Sequence, residues 1–200
     1  RTDGLQIAGV INVTGIRQSG VQIGGITNVN RSNAFGLQVA GIGNYTHKTS
    51  VGIQLGGLFN YSRKARGLQV ASVYNQAKRT QGIQISIVNS SRRLDGVQIG
   101  LVNFADSAKY GAQIGLFNFV KGGYKQLELS YDELDFIDFS FRSGMPHFYS
   151  LVKIGTTFVH DSAYYRMGYG IGSEWKIVGP LAVNLEAEAF HVTGHTFTQQ

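Results

Sequence analysis

One short pattern recurs eight times along this 200-residue chain: glycine, an apolar residue, glutamine, a second apolar residue, a small residue, and then asparagine a fixed distance on. The copies begin at Gly4 (GLQIAGVIN), Gly20 (GVQIGGITN), Gly36 (GLQVAGIGN), Gly52 (GIQLGGLFN), Gly67 (GLQVASVYN), Gly82 (GIQISIVN), Gly96 (GVQIGLVN) and Gly111 (GAQIGLFN). Successive starts are 14–16 residues apart. Eight copies at this spacing mark a tandem-repeat architecture. Within a copy the apolar residues alternate with Gln and the small residue. Leu5 and Ile7 point one way and Gln6 and Ala8 the other, which is the period of a strand.

The asparagines are Asn12, Asn28, Asn44, Asn60, Asn75, Asn89, Asn103 and Asn118. In the first five copies Asn lies eight residues after the Gly, and in the last three it lies seven after. On a regular strand one deleted residue moves every later side chain to the other face. The spacing therefore places the asparagines at a bend. Two architectures fit: a parallel β-solenoid with one copy per coil, or one continuous antiparallel β-barrel with one copy per strand. The solenoid is favoured. Each copy has only three or four clean alternations, whereas a membrane-crossing strand needs about 9–11 residues. Barrel connections alternate between short turns and long loops, whereas these connections are all alike. An amide recurring at one position is also what an in-register stack rewards, since identical side chains then form a hydrogen-bonded ladder.

The repeat occupies residues 4–121, and the pattern changes after Gly122-Gly123. Charge changes at the same place. Residues 1–123 carry 13 Lys and Arg against Asp3, Asp95 and Asp106, whereas residues 124–200 carry five against nine acids. In the second region, residues 124–200, Tyr165, Met167, Tyr169, Ile171, Trp175 and Ile177 share one parity, and Arg166, Gly168, Gly170, Gly172, Glu174 and Lys176 hold the other. Leu181, Val183, Leu185, Ala187 and Ala189 repeat the pattern opposite Asn184, Glu186 and Glu188. Residues 127–142 and 148–160 supply further strands, the first broken near 132–135. Apolar on one face, small or charged on the other, with aromatics toward the ends, is the signature of an outer-membrane barrel strand. The expected fold is thus all-β, a solenoid followed by antiparallel barrel-like strands. Four or five strands cannot close a barrel alone. A soluble antiparallel sheet is the alternative for this region.

The connections between copies are basic. Arg63, Lys64, Lys78, Arg79, Arg92 and Arg93 head the series, with Arg17, Arg31, His47, Lys48, Arg66, Lys109 and Lys121 beside them. In a parallel stack they align into one positive edge, suited to lipopolysaccharide phosphates or an acidic glycan. The same residues would also serve simply to keep strand edges from aggregating. Nucleic acid is not expected as a partner, because no binding motif occurs and the aromatics near the turns form no regular stacking series. Tyr45, Phe59, Tyr61, Tyr74, Phe104, Phe117 and Phe119 are candidates for a carbohydrate platform or for filling the ends of coils.

No catalytic site is expected. The best acidic cluster, Asp132, Glu133, Asp135 and Asp138, falls on both faces of one short segment. The histidines (His47, His147, His160, His191, His195) are scattered, and there is no cysteine. No metal or cofactor is implied, and no apolar run reaches the length of a membrane-spanning helix. The GLQIGLVN-type tandem resembles the surface-repeat proteins of Gram-negative envelopes over residues 4–120. That resemblance implies exposure at the cell surface or in the periplasm and implies no catalytic residues; the expected location is the outer membrane or cell surface. The functional expectation is a non-enzymatic envelope protein that presents a rigid repeat surface to anionic glycan, to lipid, or to a partner in an envelope complex. The alternative is a soluble solenoid enzyme acting on polysaccharide.

Overall fold

Every repeat lies on the next in parallel, in register, with like residues opposite like. The computed structural model describes residues 2–131, 137–159, 162–179 and 181–196. It divides into two compact units, Arg1–Gly115 with Phe119–Lys121, and Leu116–Asn118 with Gly122–Gln200.

The first unit is a parallel β-solenoid of eight coils. Its strands are β1 (Thr2–Ala8), β2 (Ile11–Thr14), β3 (Arg17–Gly24), β4 (Thr27–Asn30), β5 (Asn33–Ala40), β6 (Gly43–Gly56), β7 (Phe59–Ala71), β8 (Tyr74–Ile85), β9 (Val88–Leu94), β10 (Val97–Ile99), β11 (Val102–Ser107), β12 (Ala112–Ile114) and β13 (Phe117–Val120). Each coil has one face carrying the Gln and a second carrying the Asn, with a corner between them. Gln6 pairs with Gln22, Gln22 with Gln38, and so on to Gln113. An antiparallel barrel of repeats is therefore excluded.

The asparagines do not sit at the bend. They lie two residues past the corner, as the second residue of their strand, and they point inward. The corner itself absorbs the missing residue, so Asn75 still pairs with Asn89 where the deletion begins. In the first shortened corner Ser86 is buried at the turn. Its hydroxyl lies 2.7 Å from the Val88 carbonyl and 2.8 Å from Asn89 Oδ1, two acceptors that share its one proton. The glycine that opens each copy has a separate reason. Gly36 has φ +109°, and a Cβ on it would overlap the carbonyl of Gly20 one coil below.

The interior of the solenoid is polar. Gln22, Gln38, Gln54, Gln69, Gln84, Gln98 and Gln113 are buried, as are all the described asparagines of the repeat, accompanied by Thr14, Thr46, Ser50 and Ser62. Two amide ladders run along it. Each Gln Nε2 donates to the Oε1 of the preceding Gln at 2.7–3.0 Å, through seven consecutive bonds. The Asn ladder runs in the opposite sense, each Nδ2 donating to the Oδ1 of the following Asn, from Asn12 to Asn103. The aliphatic residues of the repeat face outward. Ile23, Ile53, Leu55, Ile83, Ile85 and Ile99 form exposed columns on the Gln-bearing face, and Ile26, Ile42, Leu58, Val73, Ile87 and Leu101 form another along the corner.

The second unit is one antiparallel sheet, β14 (Tyr124–Tyr131), β15 (Ile137–Met145), β16 (Phe148–Val159), β17 (Ser162–Val178) and β18 (Leu181–Thr196), paired in chain order. The sheet is strongly curled. Neighbouring strands lie about 4.8 Å apart, so a flat sheet would hold β15 and β18 about 14 Å apart. Yet Arg142 Nε on β15 reaches Glu186 Oε1 on β18 at 2.8 Å, and Tyr124 Oη on β14 reaches Glu174 Oε2 on β17 at 3.1 Å. Glycines on the concave face make room for this. A Cβ on Gly172 would lie 2.6 Å from the Tyr149 ring, and Gly168 and Gly170 are similarly filled by Phe190 and Glu188. The break expected near 132–135 falls outside the described residues.

Candidate functional site

Three surfaces carry chemistry, and each follows from the register. The first is the basic edge. Lys64 pairs with Arg79 and Arg79 with Arg93, so three cations stack on successive coils. Arg63, Lys78 and Arg92 immediately precede them and are exposed. The six sequence-predicted residues thus come together as two adjacent columns of three. Asp95 is set among them, its Oδ2 at 2.7 Å from Arg79 Nη2 and 2.9 Å from Nε. Arg66 extends the patch and donates to Gln81 Oε1 at 3.0 Å. The column does not run the length of the stack. Arg17, Asn33 and Thr49 precede Lys64 in it, and Ser107 follows Arg93. Like charges held one coil apart repel each other, and an anion bound across the columns would relieve that repulsion.

The candidate aromatic platform divides. Tyr45 and Tyr61 are register partners stacked at 4.8 Å with an 8° interplanar angle, and Phe104 stacks on Phe119 at 5.3 Å. Between the two pairs the column holds Gln76 and Ser90, so no continuous aromatic surface forms. These rings satisfy one another along the stack, as outward side chains of an in-register array do.

The second surface is the concave face of the antiparallel sheet. Arg142 is held between Glu128 and Glu186, Arg166 pairs with Asp138, and Lys153 pairs with Glu188 at 2.9 Å. Tyr149 donates to Glu186 Oε1 at 2.6 Å. The Arg166 guanidinium also lies over the Phe190 ring, 5.1 Å from its centroid. Every pair joins strands one to three apart across the curl, so the network ties the concavity shut. Of the acidic cluster, Asp132, Glu133 and Asp135 lie outside the described residues. Asp138 is 1% exposed and accepts from Arg166 Nε at 2.8 Å, which is a structural ion pair and leaves no free carboxylate. Among the described residues no three of His, Asp and Glu converge as metal ligands.

The third surface is apolar. On the convex face Leu129, Phe139, Ile154 and Met167 are successive cross-strand partners. With Ile137 and Tyr165 they line an open hollow of 580 Å³. Leu127, Ile171, Trp175, Ile177, Leu181, Val183 and Leu185 continue this exposed face. Sequence parity had sorted these residues onto one side. It had not shown that the solenoid follows the same rule, polar within and aliphatic without, because alternation alone is silent about which face turns inward. The signal that could have settled it was the glutamine itself. An in-register Gln meets its partners only in a shared interior, where water cannot compete.

No protein-family model matches the chain, and no curated protein and no solved structure is significantly similar to it.

Proposed function

We propose that the protein is a non-enzymatic structural and binding component of a Gram-negative outer envelope. Its convex sheet face and its aliphatic solenoid columns lie against lipid acyl chains, and its basic edge contacts anionic headgroups or glycan phosphates. One observation carries this reading: in both units the interior is mostly amides, hydroxyls and ion pairs, and most of the large apolar side chains are outside, with Leu94, Val120, Tyr149 and Leu151 the buried large ones among the described residues. In water that arrangement forgoes most of the hydrophobic effect, since fully burying one Leu, Ile or Phe is worth about 1.5–3 kcal/mol. Against acyl chains the same exterior costs little, and an interior in which polar groups satisfy one another is what a bilayer requires. Exposed apolar patches of this extent on a soluble chain mark a contact surface. A row of cations beside an apolar face is the charge arrangement of proteins that sit at the headgroup boundary. The concave ion pairs match the polar lumen side of a barrel wall, with aromatic and aliphatic residues turned to lipid.

Flotation through a density gradient with liposomes tests the proposal. The purified full chain is expected to float with vesicles, to resist extraction by alkaline carbonate, and to bind more tightly when the vesicles carry anionic lipid. A chain that remains monodisperse without detergent and stays at the bottom of the gradient would overturn it.

A further inference from the structure

The backbone register gives the basic edge a fixed spacing. Lys64, Arg79 and Arg93 are partners on successive coils, so neighbours stand one strand spacing apart, about 4.8 Å. Arg63, Lys78 and Arg92 precede them in the chain and repeat the same step. Three rungs of two cations therefore span roughly 10 Å along the stack. The rungs are bounded at both ends. Thr49 holds the place before Lys64, and Ser107 holds the place after Arg93. Asp106 falls opposite Arg92, between the register pairs Ala105–Ser91 and Ser107–Arg93, and reverses the sign of the charge there.

One carboxylate already sits on this edge and shows how the edge takes an anion. Asp95 Oδ2 accepts from Arg79 Nη2 at 2.7 Å and from Nε at 2.9 Å. Among the described residues no acid pairs with Arg63, Lys64, Lys78, Arg92 or Arg93. The outward positions on either side of the rungs are neutral hydrogen-bonding groups. Gln76 and Ser90 are register partners on one side, and Gln81 lies on the other, where it accepts from Arg66.

We propose that the three rungs bind a linear carboxylated glycan laid along the stack, with one acidic sugar ring to each coil. The proposal rests on the reading of this edge as an anion-binding surface and names the anion. An extended chain of pyranose rings advances by about one strand spacing per ring, so a carboxylate on every ring meets every rung. Each carboxylate takes the forked N–H donors of an arginine as Asp95 does. Gln76, Ser90 and Gln81 supply donors and acceptors for the ring hydroxyls. The bound chain also relieves the repulsion among like charges held one coil apart. A single headgroup meets one rung at a time, whereas a chain engages all three at once and gains the affinity of linked contacts. Single-stranded nucleic acid fits less well. Its bases need rings to stack on, and Gln76 and Ser90 stand beside the second and third rungs.

The test uses the full chain in uncharged detergent, so that lipid charge does not compete. The probe is a short end-labelled oligogalacturonate with a carboxylate on every ring, and binding is read by fluorescence anisotropy. The comparison probe is a chain of twice the length with alternate carboxylates methyl-esterified, equal in charge and double in charge spacing. The fully charged probe is expected to bind at least about tenfold more tightly. Lys78→Gln with Arg92→Gln is expected to weaken it at least about tenfold. Arg31→Gln with Lys109→Gln removes the same charge away from the rungs and is expected to change binding less than about twofold, because exposed charges at that distance are largely screened. Both variants should keep the parent circular dichroism spectrum. Equal binding of the two probes would reduce the edge to net positive charge and overturn the proposal, as would equal losses in the two variants. Binding of anionic vesicles without binding of the oligogalacturonate would also overturn it, and would leave the envelope reading standing. Failure to float with neutral vesicles, with spacing-dependent oligogalacturonate binding intact, would overturn the lipid contact and uphold the glycan site.

Discussion

Replacing Gln54 with leucine removes the busiest link of the interior ladder while leaving side-chain volume nearly unchanged. Gln54 donates to Gln38 Oε1 (2.7 Å) and Thr46 Oγ1 (3.3 Å), and accepts from Gln69 Nε2 (2.7 Å), Ser62 Oγ (2.8 Å) and Ser50 Oγ (3.0 Å). After the change Gln38 Oε1 still receives Thr46, and Gln69 still reaches Ser62 Oγ. The Ser50 and Ser62 hydroxyls lose their acceptor in a closed interior. A net bond is worth about 0.5–1.5 kcal/mol, and a buried group left without a partner costs about 1–3 kcal/mol. Allowing for the two surviving contacts, Gln54→Leu should destabilise its coil by about 3 kcal/mol, or roughly a hundredfold in the opening equilibrium. Gln6→Leu should cost about 1 kcal/mol or less, because among the described residues Gln6 accepts only from Gln22 Nε2 and Thr14 Oγ1, and Gln22 Nε2 keeps Thr14 Oγ1 as a second acceptor. Hydrogen exchange resolved by coil reads both. Exchange should accelerate most in the third to fifth coils and fade toward the eighth, as nearest-neighbour coupling in a stack requires. Equal effects at Gln6 and Gln54, or a Gln54→Leu chain that exchanges no faster than the parent, would refute the ladder as the source of the solenoid's stability.

Other consequences are as direct. Replacing Arg63, Lys64, Lys78, Arg79, Arg92 and Arg93 with glutamine should weaken binding to anionic vesicles and flatten its dependence on salt, measured by co-sedimentation between low and high ionic strength. Gly172→Val should prevent the sheet from curling, since the Tyr149 ring fills the space a Cβ would take. Loss of β-structure in the second unit with retained solenoid exchange protection is the expected pattern. Asp138→Asn removes the carboxylate that pairs with the buried Arg166 guanidinium and should cost about 3–5 kcal/mol, read as a lowered denaturation midpoint. The paired change Asp138→Leu with Arg166→Met should recover most of that loss, because apolar replacement of a whole buried pair is often close to neutral.

Much of this was legible from residue order. The eight Gly-x-Gln units, their spacing and the recurrence of one amide were enough to choose a parallel stack over a barrel. The parity of Tyr165 to Ile177 was enough to separate the apolar face from the glycine face. The readings that missed share a cause. Asn12 and its counterparts were assigned to a bend because the one-residue deletion breaks strand parity, yet the corner took up the change and the column of asparagines continued. Charge position along the chain marked Arg63 to Arg93 as an edge, but the register confined it to three coils, because Asn33, Thr49 and Ser107 hold the same place elsewhere. The pairing of Arg142 with Glu186, 44 residues away, follows from curl, a property of the whole sheet that no local pattern encodes. In the solenoid, inward and outward were equally hidden, since period two is symmetric under exchange of faces.

Trp175 offers the most direct test of that inversion. It is the one tryptophan in the chain, lies on the convex apolar face and is 52% exposed. With the protein reconstituted in vesicles whose acyl chains carry bromine, the account predicts that its fluorescence is blue-shifted, quenched by the brominated lipid, and shielded from aqueous iodide. Emission typical of water, quenched by iodide and indifferent to the brominated chains, would contradict it.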